Sequence, residues 1–211
     1  MNDRRRQQFN TRIIRFFGDQ LAVYGPDSPG ALAWTSKDTQ FTRFSILTQV
    51  GNLQDHSLLD VGSGLGDLYG FLLENNINNV YTGIELSPDH YRHSLQKYPG
   101  INVIHADFID YSFKQIFDYV LCSGTFNALY PDHRRYLQTA VKKMFSLART
   151  GIAFNLLNNA KEPSNIDKDP QDIELAYVDP AFILSFIRSL TDRFVIRHDY
   201  LDNDFTVYLY R

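Results

Sequence analysis

Leu58-Leu59-Asp60-Val61-Gly62-Ser63-Gly64-Leu65-Gly66-Asp67-Leu68 is the stretch that decides the fold. Its opening residues are apolar and short enough for one buried strand, its middle alternates glycine with other residues, and Asp67 to Leu73 continues with helical spacing. Strand, glycine turn and helix follow one another without a gap. Glycines at alternate positions let the main chain turn with positive φ and let a ligand lie against bare backbone. The helix behind them points free N–H groups at the same place.

The spacing of the glycines narrows the ligand. A dinucleotide fingerprint needs G-x-G-x-x-G, but counted from Gly62 its last position falls on Asp67, and from Gly64 on Tyr69. The form here is G-x-G-x-G with Asp60 closing the strand. Leu59 to Gly66 resembles motif I of the class I S-adenosylmethionine (SAM) methyltransferases. Two further acids fall where that family has them. Val80-Tyr81-Thr82-Gly83-Ile84-Glu85 reads as a second strand ending nineteen positions after Gly66, and Val103-Ile104-His105-Ala106-Asp107-Phe108 reads as a third. A strand-end acid alone is as readily a helix cap; three in register with the glycines imply SAM, released as S-adenosylhomocysteine. On this resemblance Asp60, Gly62, Ser63, Gly64 and Gly66 border the cofactor. Glu85 accepts from both ribose hydroxyls with Leu86 beside it, Asp107 takes the adenine amine, Phe108 lies beside the ring, and Cys122 and Ser123 complete the set.

Composition fits such an enzyme and excludes other classes. A chain of 211 residues with 44% hydrophobic content can bury one core, so one domain, 1–211, is expected, with 1–54 as helical leader and 55–211 as the α/β core. A net charge of −3 gives no bulk attraction to nucleic acid. The single cysteine, Cys122, excludes a disulfide framework and fits a cytoplasmic location. No run approaches the roughly 18 apolar residues of a membrane span, and the N-terminus leads into no apolar signal region.

In order, the chain predicts a helix from about Asp3 to Phe17, with Phe9, Ile13, Phe16 and Phe17 on one face and Gly18 as its stop. A loop follows from Tyr24 to Gly30, then a helix capped by Ser36 and running to Val50. This leader resembles that of small bacterial methyltransferases of unassigned substrate. In many class I enzymes a leader helix covers the methionine half of SAM, which implies Arg43 as partner of its carboxylate, a surface salt bridge being the alternative. Tyr24 and Trp34 are candidates for the substrate side, although Trp34 also suits a core.

Beyond motif I, strands and helices alternate, as in a parallel sheet with crossovers. Ser87-Pro88 opens a helix that Pro99-Gly100 ends, and Phe117 to Cys122 is a fourth strand. Its end, Ser123-Gly124-Thr125-Phe126-Asn127, lacks the Asp/Asn-Pro-Pro-Tyr motif of amino-methylating enzymes that act on adenine in DNA or glutamine in protein. Thr125 and Asn127 are candidates for substrate binding or for turn capping. A helix over about Asp132–Ala148, a fifth strand over Thr150–Leu157, a helix from Pro180 to about Leu190 and two closing strands, Arg193–Tyr200 and Phe205–Tyr210, complete the count. Asn158 to Val178 is polar and aperiodic, which suggests a substrate-covering lid. The alternation of Phe205, Val207 and Leu209 with Thr206, Tyr208 and Tyr210 predicts one exposed face. The residues give a doubly wound α/β sheet. The resemblance refines it to three layers with seven strands in the order 3-2-1-4-5-7-6, the last antiparallel.

Methyl transfer from a sulfonium needs chiefly an aligned nucleophile, and a hydroxyl acceptor profits from a base. His133 and His198 are the candidate bases, His198 equally a structural residue. No histidine spacing suggests a metal. The leading reading is a SAM-dependent methyltransferase acting on an oxygen or nitrogen of a small molecule or biosynthetic intermediate. A nicotinamide oxidoreductase and a non-catalytic SAM-binding module are the alternatives.

Overall fold

Strand β1 (Ser57–Val61) is buried from Leu58 to Val61, which fits a central strand covered on both faces. In the computed structural model, which describes residues 3–158 and 173–211, it pairs in parallel with β2 (Val80–Glu85) on one side and β4 (Phe117–Cys122) on the other. Outside these lie β3 (Val103–His105), parallel to β2, and β5 (Ala148–Asn158), parallel to β4. The antiparallel β8 (Asp204–Tyr210) inserts between β5 and β7 (Phe194–Arg197), giving the order β3-β2-β1-β4-β5-β8-β7. This is the expected order plus a two-residue strand, β6 (Tyr177–Val178), alongside the last two residues of β5.

Helices α2 (Lys37–Leu47), α3 (Asp67–Glu74) and α4 (Pro88–Lys97) cover one face, where Phe44, Leu47, Leu72 and Ile101 pack on Leu58 and Leu121. On the other, Leu137 and Met144 of α5 (His133–Leu147) and Ile183 and Ile187 of α6 (Pro180–Ile187) pack on Val120 and Ile152. Ser36, Ser87 and Asp179 cap their helices through side-chain oxygens, as the sequence predicts.

Two expectations are corrected here. The first helix, α1 (Asp3–Tyr24), runs through Gly18 and stops at Gly25, whose φ is +76° and whose N–H donates to the Leu21 carbonyl. Glycine inside a helix costs about 1 kcal/mol relative to alanine. Extension buries Leu21 against Ala31 and Leu65, and burying a leucine offsets that cost at roughly 1.5–3 kcal/mol. The second concerns β8, which has no exposed face: Asp204 to Leu209 are all buried, because Phe205, Val207 and Leu209 pack into the core on one face and Tyr208 into the core on the other. Tyr208 remains compatible with that burial by donating to the Ile46 carbonyl at 2.6 Å. Of the long segment after β5, residues 159–172 lie outside the described part.

Candidate functional site

The carboxyl ends of β1, β2 and β4 open into a cavity of about 230 Å³. From β1 come Asp60 and the turn residues Gly62, Ser63 and Gly64; Glu85 and Leu86 follow β2, and Ser123, Gly124 and Thr125 follow β4. This is the crevice where strand order reverses, the general ligand position of doubly wound sheets. The turn is shaped for close approach. Gly62 has φ +73°, and a Cβ there would lie 2.0 Å from Thr125 Oγ1; Gly64 has φ +54°, and a Cβ there would meet Leu32 at 3.1 Å.

Glu85 holds the turn in place. One carboxylate oxygen accepts from the Gly64 N–H at 2.8 Å and the other from the Ser87 N–H at 2.6 Å. A carboxylate has about four lone-pair positions, so two remain for a ligand. Asp60 accepts from the Tyr81 hydroxyl at 2.6 Å. Burial pushes the Asp60 carboxyl up to about 7, the Tyr81 hydrogen bond opposing and the nearby Glu85 and Asp67 reinforcing the shift. Asp67 also borders the cavity, receiving Gln40 Nε2 at 3.0 Å and Lys97 Nζ at 2.8 Å.

Four cavity residues carry a buried polar atom without a partner among the described residues: Ser63 Oγ, His90 Nε2, Ser123 Oγ and Asn127 Oδ1. A buried polar group left unpaired costs on the order of 1–3 kcal/mol, so their convergence on one space marks a polar ligand's place. Around them the walls are apolar. Ile13, Phe16 and Phe17 come from α1, Leu32 and Trp34 from the segment after it, and Ile173 and Leu175 from the far end of the post-β5 segment. That end docks on the residues after β4, where Leu129 donates to the Glu174 carbonyl and Ala176 to that of Asn127.

Residues 59–151 match a family model described as a methyltransferase domain. Residues 59–151 thus resemble a methyltransferase domain, and the sheet order is that of the class I methyltransferase fold. A protein of Mycobacterium tuberculosis (strain ATCC 25618 / H37Rv) named "Putative methyltransferase Rv1506c" is 27% identical to this chain over 157 residues, 72% of this chain and 90% of that one. Among solved structures, the magnesium protoporphyrin IX methyltransferase of Synechocystis PCC 6803 with bound S-adenosylhomocysteine aligns with a TM-score of 0.63 at 15% identity, over 98% of this chain and 97% of its own. The complex of DhpI with SAM and HEP aligns with a TM-score of 0.67 at 13% identity, over 94% and 95%.

Several expected site residues lie away from the cavity. Asp107 does not border the cavity: Oδ2 accepts from Arg6 and Asn10 of α1, and Oδ1 from the Ile109 N–H at 2.7 Å. Phe108 and Cys122 belong to the core, where burial raises the thiol far above its usual range. Gly66 opens α3 beneath Tyr98 and Ile101. Arg43 is buried away from the cavity, donating to Asp204 at 2.6 Å and to the Thr39 carbonyl, its guanidinium 5.0 Å from the Trp34 ring centre. It positions Trp34, which does line the cavity, whereas Tyr24 is exposed and rests on Gly30.

Neither candidate base borders the cavity. His133 Nδ1 accepts from the Tyr130 N–H in the turn before α5, and burial lowers the ring to about 4. His198 Nε2 faces the Asn158 amide at 3.1 Å beside Phe205. Thr125 and Asn127 are at the cavity, Thr125 donating to the Val61 carbonyl at 3.1 Å. Sequence reasoning missed His90, Gln40, Asp67 and the α1 wall. The apolar face of the first helix, with Ile13, Phe16 and Phe17, is the local signal for that wall.

Proposed function

We propose that this protein transfers the methyl group of SAM to an oxygen or nitrogen nucleophile of a small molecule or biosynthetic intermediate. The observation that carries the reading is the glycine turn clamped by Glu85 at a cavity where four unpaired polar atoms converge. The residues present fit an adenosyl amino acid. Bare backbone at Gly62 and Gly64 accommodates a chain passing over the turn, and the two remaining lone-pair positions of Glu85 suit a ribose diol. Asp67 supplies negative charge, and Asp60 a buried carboxyl oxygen, for an ammonium group. Neighbours of the same fold hold bound SAM or S-adenosylhomocysteine and include a porphyrin and a glycopeptide methyltransferase.

Bound SAM supplies a sulfonium-activated methyl group, displaced in line by the acceptor. The contribution of this chain is alignment and exclusion of water. Trp34, Ile173 and Leu175 wall the side next to Thr125 and Asn127, where an acceptor hydroxyl or amine would meet the unpaired Asn127 oxygen. With His133 and His198 outside the cavity, the rate enhancement on this reading comes from positioning rather than from a dedicated histidine base. The reading takes 1–211 as one domain in a cytoplasmic protein.

Calorimetric titration with SAM, S-adenosylhomocysteine and NADH tests it. Saturation by both adenosyl ligands and not by NADH is expected, whereas saturation by NADH alone would move the protein to the oxidoreductases. Methylated product from a metabolite extract separates the enzyme from a binding module of the same fold.

A further inference from the structure

His90 stands in the first turn of α4, and Ser87 caps that turn by accepting from the His90 N–H at 3.4 Å. The residue is 2% exposed and borders the cavity beside Glu85 and Leu86. Its ring meets Phe17 edge-on with centroids 5.8 Å apart, and a ring N–H donates to the Phe17 backbone carbonyl. Nε2 has no partner. A neutral imidazole whose proton is on Nδ1, on the Phe17 side, has Nε2 as its hydrogen-bond acceptor.

The groups facing the imidazole keep it neutral. Burial lowers its proton affinity and His93 adds to that, outweighing Glu85, Asp89 and the Phe17 carbonyl, which favour the charged ring. A neutral acceptor, nine-tenths and more buried, thus faces a space walled by Ile13, Phe16, Phe17 and Leu86. Flat apolar walls with one acceptor suit the edge of a heteroaromatic ring that carries an amine. Asp107, to which the family resemblance assigns that amine, does not border the cavity and accepts instead from Arg6, Asn10 and the Ile109 N–H.

Building on the SAM reading above, we propose that His90 Nε2 accepts from the 6-amino group of the adenine and is the residue by which this site recognises the base. Adenine offers an N–H donor there. Hypoxanthine offers a carbonyl oxygen, which an acceptor repels, and unsubstituted purine offers nothing.

The test compares three ligands by calorimetry: S-adenosylhomocysteine, its analogue with hydrogen in place of the 6-amino group, and its inosine analogue. Wild type is expected to bind the desamino compound on the order of tenfold more weakly than the parent, and the inosine compound more weakly still. His90→Leu should bind parent and desamino ligand equally, both near the wild-type desamino value. His90→Gln, whose amide oxygen is again an acceptor, should restore part of the preference. His90→Met repeats the non-acceptor test with an adaptable side chain if leucine packs badly. A His90→Leu or His90→Met protein that keeps the wild-type ratio overturns the proposal, as does wild type binding all three ligands alike. If wild type binds none of the adenosyl ligands, the SAM reading falls with it, and the two failures are distinguished by that first titration.

Discussion

At the scale of single residues, the acids at the strand ends divide by what reaches them. Glu85 clamps Gly64 and Ser87 and still faces the cavity. Glu85→Ala should weaken SAM at least tenfold, since charge-assisted hydrogen bonds contribute about 1.5–3 kcal/mol each; an unchanged dissociation constant in calorimetry would remove Glu85 from the site. Asp60 makes a prediction about pH. Its carboxyl is raised from 3.8 to about 7, so the folded protein holds a proton that the unfolded chain has released. Stability from this group is full below pH 3.8 and lost as pH rises towards 7. Between pH 5 and 8 the loss amounts to about 2–3 kcal/mol. Asp60→Asn removes the titration while keeping an acceptor for Tyr81, so urea unfolding at the two pH values should show a smaller decline than in wild type; parallel declines would count against the shift. Asp60 and Glu85 were legible because strand, turn and acid are neighbours in sequence. The role assigned to Asp107 failed because Arg6, which captures it, stands 101 positions away.

At the scale of elements, local signals placed β1, β2, β4 and the capped helices, and failed where tertiary contacts decide. Gly18 reads as a stop, yet Leu21 carries α1 onward. Arg43 reads as a ligand residue, yet it is the buried cation that ties α2 to β8 through Asp204. Removing one partner of a buried pair typically costs about 3–5 kcal/mol. Arg43→Ala should therefore lower the melting temperature strongly and affect SAM chiefly through Trp34. The defect should also depend on pH. Burial already raises the Asp204 carboxyl and Arg43 opposes that, so without Arg43 the acid stays protonated further up the pH scale. The variant should be closest to wild type near pH 5 and furthest from it near pH 8, measured by thermal unfolding; a gap that does not change with pH would mean that Asp204 finds another cation. The glycine turn tests a different property. Gly64→Val needs a branched residue at φ +54° with Leu32 already 3.1 Å from its Cβ, so the segment carrying Leu32 must move or the turn must distort. SAM should then give no thermal shift, and a normal shift would show that the turn is not where the ligand lies.

At the scale of the whole molecule, the sheet was readable because each crossover leaves its own punctuation, whereas the cover over the site was not, since it is assembled from segments far apart in sequence. The sequence suggests a lid from the leader 24–43 and the segment 158–178. The described structure divides that expectation: α2 is a packed layer with Phe44 and Leu47 buried that meets the cavity through Gln40 and Phe44, while α1 and the turn around Leu32 and Trp34 form its wall with Ile173 and Leu175. The cavity, about 230 Å³ and partly open, is smaller than the roughly 300–1,000 Å³ usual for ligand sites, so on the SAM reading an adenosyl amino acid would press on this cover. The cover is tethered by polar contacts that can break and re-form, with Arg6 on Asp107 and Asp110, and Asn10 on Asp107 and the Tyr130 hydroxyl. A hinge is available at Gly25, between α1 and the Leu32 turn. Hydrogen exchange with and without S-adenosylhomocysteine should thus show added protection in the second half of α1 and around residues 29–34, with little change in 37–47, whose protection comes from the core. Equal exchange of α1 in both states would mean that the ligand enters without moving the cover. Protection confined to 37–47 would reverse the assignment of wall and layer.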